Sequence, residues 1–328
     1  MRYRNTWEEA TIEVVEQVAA NVMQFKIRPK NGTQKFTVGA HLDVSVLIND
    51  IPEIRSYSLV GSYEPHAPYT IAVKRLPQSR GGSKYMWSLK LGNKIRISQP
   101  TNHFELGFGA MDYLLIAGGI GITPIVGMAQ QLADRPGKNV RMLYLGQSQA
   151  EMPFTETLQE VLGDRLTLHY SDDEGFYDMA QILELANDKT QVYLCGPIGL
   201  MNAVRKTWEE SPFETTNLRY ETFGASGLFA PQKFIVTIPR FKKQIEVQEN
   251  ETLLHALEAV DIDVMYDCKK GECGLCQVDI LDYSGDIDHR DFFFSEAKKG
   301  ENKKMCACVS RVANGNITID TAFRGKQK

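Results

Sequence analysis

Five of the six cysteines of this 328-residue chain fall in its last 61 residues, with a specific spacing. Cys268, Cys273 and Cys276 are separated by four residues and then two, and Cys306 and Cys308 follow. A [2Fe–2S] cluster needs four thiolates converging on two irons, and C-x4-C-x2-C with a distant fourth cysteine is a spacing that supplies them. Gly271 and Gly274 inside the loop let the backbone wrap closely and aim N–H groups at the sulfurs, which helps to set the potential. The plain alternative is zinc, whose sites usually repeat a C-x2-C pair on both sides. Here the first gap is four and the last ligand has no such partner, so the spacing favours the cluster. Cys306 and Cys308 both precede the final strand. Either could give the fourth sulfur, the other then being a small buried apolar group.

A second constellation is built from glycine. Gly118-Gly119-Ile120-Gly121-Ile122-Thr123-Pro124 follows an apolar strand and opens a helix. Backbone N–H groups and a helix N-terminus can face a pyrophosphate in that context. The run is not the G-x-G-x-x-G fingerprint, because after Gly119-x-Gly121 the last glycine's position is taken by Pro124, which suits a first helical turn. An ordinary tight corner would look similar. Leu194-Cys195-Gly196-Pro197 ends a later strand before another helix. Two such corners at the carboxyl ends of strands point to a nucleotide.

The third constellation lies nearer the N-terminus. Arg55-Ser56-Tyr57-Ser58-Leu59 alternates along one strand, with Arg55, Tyr57 and Leu59 on one face and Ser56 and Ser58 on the other. Ile71-Ala72-Val73-Lys74-Arg75 is a strand with a basic end, and Arg80-Gly81-Gly82-Ser83 offers an anion nest capped by a hydroxyl. Singly these are a solvated strand and a hairpin loop. Together they could hold a planar aromatic group and its phosphate.

The elements that must position these groups are legible. Residues 1–105 read as short strands (10–18, 22–27, 41–46, 69–73) separated by turns, as in a barrel or sandwich. Residues 106–226 alternate buried-type strands (113–117, 141–145, 191–194) with helical stretches at 126–132 and 200–207, which implies a parallel sheet. A linker at 227–231 precedes a small domain over 232–328, with a hairpin at 234–238 and 244–247, a helix over 251–260 capped by Asn250, and strands at 277–281 and 316–321. Net charge is −4 and no basic excess favours nucleic acid. The longest apolar run, 113–129, holds four glycines and Pro124, unlike a membrane span. The N-terminal stretch carries charge throughout and lacks the apolar core of a secretory signal, so a cytoplasmic protein with reduced thiols is expected.

The ordered set Arg55-x-Tyr57-Ser58-Leu59, Gly81-Gly82-Ser83, Gly118 to Pro124, Cys195-Gly196-Pro197, Glu221-Thr222-Phe223-Gly224-Ala225 and the cluster cysteines resembles the phthalate dioxygenase reductase family. These are reductase components of Rieske-type oxygenases, including vanillate demethylase-like systems. Gly285-x-x-Asp288-His289-Arg290-Asp291 also resembles a family segment, though no mechanism attaches to it. A polar turn would explain it as well, and oxygenase docking is one role open to it. The ending Cys308-Val309-Ser310-Arg311 resembles the one that closes the family's cluster, which makes Cys308 the fourth ligand after Cys268, Cys273 and Cys276.

The resemblance implies an N-terminal flavin-binding antiparallel β-barrel, a central α/β nicotinamide-binding domain and a C-terminal α+β ferredoxin of β-grasp type. It implies FMN, with Arg55 and Gly81-Gly82-Ser83 on the terminal phosphate. Ser56, Tyr57, Ser58, Ala72, Val73 and Lys74 would surround the flavin, with Ser58 near the reactive nitrogen and Phe223 over the ring, although a core aromatic at a domain junction is the plain reading of Phe223. Gly119, Ile120, Gly121, Thr123, Pro124, Gly196 and Pro197 would line the nucleotide, Thr123 lying between the two sites. Cys195 would approach the nicotinamide carbon that gives up hydride. A buried structural cysteine is its plain alternative.

NADH is the expected donor because the family uses it. Leu145-Gly146-Gln147-Ser148-Gln149 carries neither the acidic residue that favours a free ribose hydroxyl nor an Arg for a 2′-phosphate. NADH gives two electrons together and the cluster accepts one, so a flavin that takes two and releases them singly must stand between. The acceptor would be a terminal oxygenase met in a transient complex with this chain as a monomer. Residues 232–328 hold 15 Lys and Arg against 16 Asp and Glu, so long-range steering by net charge is not expected. A diiron or haem oxygenase is an alternative acceptor. A nucleotide-binding protein with structural zinc is a reading from another class, and it requires a colourless protein.

Overall fold

The computed structural model describes residues 6–48, 50–76, 81–223, 229–249 and 251–321. Arg80, Gly224, Ala225, Asn250 and part of the expected linker lie outside them. The chain forms two compact units, Met1–Glu221 and Thr222–Lys328.

The first unit opens with an antiparallel sheet of six strands, β1 (Trp7–Ala19), β2 (Val22–Pro29), β3 (His41–Ile48), β4 (Ile51–Ser58), β5 (Tyr69–Lys74) and, after the short helix α1 (Gly82–Ser88), β6 (Lys94–Ser98). Their order is β4-β3-β6-β1-β2-β5. An antiparallel bridge from Leu59 to Ile71 brings the two ends together, and the sheet wraps as a barrel. Alternating side chains close its interior with Ile12, Phe25, Ile27, Leu42, Val44 and Ile71. The periodicity of the chain does not mark β6, because its Lys-Ile-Arg-Ile-Ser run has five residues of which two are charged.

A five-stranded parallel sheet follows: β7 (Asp112–Gly118), α2 (Ile122–Ala133), β8 (Asn139–Gly146), α3 (Thr155–Leu162), β9 (Leu166–Tyr170), the single turn α4 (Ser171–Glu174), β10 (Gln191–Cys195), α5 (Ile198–Glu209) and β11 (Leu218–Glu221). The order is β11-β10-β7-β8-β9. The chain leaves β7 in one direction to β8 and β9, then returns to its other side with β10 and β11. The topological switch point thus lies between β7 and β10, where open α/β sheets bind ligands. Val38 and Phe104 share a core with Tyr113, Ile125 and Met128, so barrel and parallel sheet are packed as one body. Gly127 makes this possible, since a Cβ there would stand 2.6 Å from the Gly61 carbonyl oxygen.

The second unit is a mixed sheet of β12 (Phe234–Ile238), β13 (Lys243–Val247), β14 (Gln277–Tyr283), β16 (Lys304–Cys306) and β18 (Ile317–Thr321), ordered β13-β12-β18-β14-β16. The helices α6 (Leu253–Glu258) and α7 (Glu296–Gly300) and a ribbon of β15 (Asp286–Asp288) with β17 (Arg311–Ala313) complete it. α6 differs from the sequence expectation. It begins at Leu253, because the Thr252 hydroxyl accepts the His255 N–H at 3.1 Å and so acts as the N-cap.

Candidate functional site

The switch point gathers the glycine constellation. β7 passes through a tight turn over Gly119–Gly121 into α2, and β10 ends at Cys195 just before α5. A Cβ on Gly121 would lie 2.7 Å from the Gly196 nitrogen, and one on Gly118 would lie 2.6 Å from Leu200. Both glycines therefore serve close packing of the two corners. Gly119 differs. Its φ is +51°, and a side chain there would meet no atom within 4 Å. Its backbone is open to an approaching ligand, as a pyrophosphate requires. Tyr144 of β8 donates to the Gly119 carbonyl at 3.2 Å, and buried Thr123 donates to the Ile120 carbonyl at 3.1 Å. Ile120 and Pro124 lie in this same corner, with Pro124 in the first turn of α2. Cys195 is fully buried at the end of β10.

The same strand ends carry an acidic turn. Asp172, Asp173 and Glu174 follow β9, and the Asp172 N–H donates to the Gln147 carbonyl at 2.9 Å. An acidic turn thus stands beside the segment that follows β8, which itself carries no acid. Periodicity gave no sign of this, because β9 is an edge strand with a largely half-exposed pattern.

In the barrel, the Arg55 side chain runs beside the α1 turn, with a Gly82 Cβ position 2.9 Å from its Cγ. Gly81 has φ +99°, a conformation that favours glycine. The groups expected to hold a phosphate are therefore neighbours, and the Arg55 guanidinium is oriented by Glu53 at 2.6 Å. The Ser83 hydroxyl accepts the Leu76 N–H at 3.3 Å. Ser56 points elsewhere, donating to Asp43 on β3 at 2.6 Å. Ala72 and Val73 are buried in β5, and burial raises the Tyr57 phenol above its ordinary pKa. Lys74 pairs with Glu151 at 3.1 Å. Ser58 is buried and donates to Glu221 Oε2 at 3.2 Å, linking the barrel to the last parallel strand. Glu221, itself buried, had no role in the sequence reading. Phe223 belongs to the second unit and is 41% exposed.

The five free cysteines of the second unit fall into a hydrogen-bonded pair and a hydrogen-bonded trio. Cys268 bonds Cys273, and Cys276 bonds Cys306 and Cys308. Hydrogen bonds from Cys306 and then Cys308 pull the Cys276 thiol down to about 3. The Lys270 and Glu272 N–H groups each donate to the Cys268 sulfur at 3.4 Å, and the Gly271 N–H donates to Cys308. Paired sulfurs with amide donors fit a cluster of two irons. Cys308 bonds Cys276 and also interacts electrostatically with Cys268, whereas Cys306 bonds Cys276 and interacts electrostatically with Asp291 and Cys308.

Three family models cover most of the chain: an oxidoreductase FAD-binding domain over 9–106, a dimethylamine monooxygenase subunit DmmA-like N-terminal domain over 94–218, and a 2Fe-2S iron-sulfur cluster binding domain over 236–313. A toluene-4-sulfonate monooxygenase system reductase subunit of Comamonas testosteroni is 33% identical over 94% of this chain and 98% of its own. The phthalate dioxygenase reductase of Burkholderia cepacia is 30% identical over 93% and 94%. A solved phthalate dioxygenase reductase structure superposes with a TM-score of 0.75 at 29% identity, over 96% of this chain and 98% of that one. The chain belongs to the phthalate dioxygenase reductase family. As a member it is an oxidoreductase with a flavin, a pyridine nucleotide and a [2Fe–2S] cluster as its cofactors. A β subunit of a heme-dependent oxidative N-demethylase of Ectopseudomonas mendocina is also similar to this reductase, at 33% identity over 87% of this chain and 89% of its own.

Proposed function

We propose that this chain is the NADH-oxidising reductase component of an oxygenase system, passing electrons through FMN and the [2Fe–2S] cluster, one at a time, to a terminal Rieske-type oxygenase. The observation that carries this reading is the presence in one chain of an open nucleotide corner at Gly119, a flavin-type barrel and paired cluster cysteines. The solved relative is described as modular, for electron transfer from pyridine nucleotides to [2Fe-2S]. The flavin, when bound, supplies the change from two-electron to one-electron transfer. The residues of the chain orient and enclose. Gly119, Ile120, Gly121, Thr123, Pro124, Gly196 and Pro197 would seat the nucleotide, with Cys195 toward the nicotinamide. Tyr57, Ser58, Ala72 and Val73 would line the flavin, Ser56 being turned to Asp43 instead, and Phe223 would cover its ring. Glu221 fixes the Ser58 hydroxyl. Cys268, Cys273, Cys276 and Cys308 would hold the irons.

FMN is favoured over FAD by the phosphate-sized set of Arg55, Gly81, Gly82 and Ser83, although the matching barrel model is named for FAD. Lys74 would act at the margin of the flavin site, its charge shared with Glu151. The acidic turn at 172–174 supports NADH, since a 2′-phosphate placed there would meet like charge. A haem oxygenase is a second acceptor reading, favoured by the heme-dependent relative. Among the described residues no helix is long and apolar enough to cross a membrane. We place the protein in the cytoplasm as a monomer.

Heat-released flavin should chromatograph as FMN, and kcat/KM for flavin reduction should be higher with NADH than with NADPH. Replacing Asp172 and Asp173 by Ser should narrow that ratio about tenfold, for roughly 1.4 kcal/mol of lost discrimination. Released FAD, or an unchanged ratio, would contradict the corresponding assignment.

A further inference from the structure

The segment Asp288 to Asp291 runs up to the loop that carries Cys268 and Cys273, meeting it at Gly271. Asp288, Arg290, Asp291, Lys299 and Ser310 are all buried. Arg290 donates through Nε to Asp288 Oδ2 at 2.7 Å and also to the Phe229 carbonyl at 3.0 Å, so these two charges satisfy one another. Asp291 is held differently. Its Oδ1 accepts from the Ser310 hydroxyl at 3.0 Å and its Oδ2 from the Phe294 N–H at 3.0 Å, with His289 Nδ1 at 3.8 Å. Lys299, whose ammonium lies 3.0 Å from Glu296, also acts electrostatically on Asp291.

This carboxylate is locked to the loop that carries the ligands. The Phe292 and Phe293 N–H groups donate to the Gly271 carbonyl at 2.9 and 3.1 Å. A Cβ on Gly271, midway between Cys268 and Cys273, would stand 2.9 Å from Asp291 Cα. Ser310, which holds the other oxygen, follows Cys308 by two residues. One buried anion is therefore fixed from both strands of chain that supply sulfurs, next to a centre whose reduction adds negative charge.

We propose that Asp291 is a positioning residue whose buried charge holds the reduction potential of the cluster down. A fixed anion in a low-dielectric surround opposes an incoming electron, and net charge near a cluster is one of the levers that set its potential. The inference rests on the cluster assignment and adds to it the device that tunes electron departure.

An EPR-monitored redox titration of the cluster-loaded full chain tests it. Asp291→Asn should move the midpoint to a more positive value. Lys299→Gln removes a buried cation acting on the same carboxylate and should move it to a more negative one. Opposite signs identify charge as the cause, because a packing role sets no such relation. A loaded Asp291→Asn protein with an unmoved midpoint overturns the proposal. If that variant does not retain its cluster, Lys299→Gln decides alone, a negative shift supporting the proposal and an unmoved midpoint overturning it. A wild-type protein with no iron–sulfur signal would instead overturn the cluster assignment, which is a distinguishable failure.

Discussion

Cys306 and Cys308 stand one residue apart, yet the chain treats them differently. Cys306 ends β16 and pairs across to Gln277, with its side chain fully buried, bonded to Cys276 and under the field of Asp291. Cys308 receives the Gly271 N–H and interacts electrostatically with Cys268 of the pair. Cys308→Ala should therefore abolish the iron–sulfur absorbance and EPR signal, while Cys306→Ala retains them. The opposite pattern would move the fourth ligand to Cys306. Spacing alone left this choice open and the family ending indicated it. The contact between Ser58 and Glu221, by contrast, was illegible. The two are 163 positions apart, and no local pattern marks a serine for a carboxylate that distant.

At the scale of elements, the glycine turn does two jobs, and its members should fail in two ways. Gly121 lets α2 approach β10, and a methyl group 2.7 Å from the Gly196 nitrogen leaves backbone nowhere to move. Gly121→Ala should cost about 3 kcal/mol or more, read as a lowered Tm of the apoprotein and holoprotein alike. Gly119→Ala meets no atom but must adopt φ near +51°, for a cost of about 1–2 kcal/mol. Its larger effect should be on KM for the nucleotide, because the new methyl group would occupy the open side. Equal loss of stability in the two variants would contradict this division. β7, β8 and β10 were legible because strands buried on both faces read as continuous apolar runs. β9 and β11 were not, since edge strands of five and four residues carry mixed patterns. The acidic turn at 172–174 was missed with β9.

At the scale of the molecule, a β-rich part, a parallel sheet and a small last domain were readable from periodicity, and the family resemblance of the ordered motifs implied the barrel and the ferredoxin. The packing of the first two parts into one unit was not readable. It depends on Val38 and Phe104 entering the core of the parallel sheet and on Gly127 meeting Gly61. The central claim is that this chain converts hydride from NADH into single electrons on a [2Fe–2S] cluster. An anaerobic visible spectrum recorded before and after limiting NADH, with NADPH in parallel, tests that claim most directly. The account predicts flavin and iron–sulfur bands that bleach together with NADH, and only weakly or slowly with NADPH. A colourless protein with bound zinc, or a flavin that bleaches while the iron–sulfur bands stay oxidised, would contradict it.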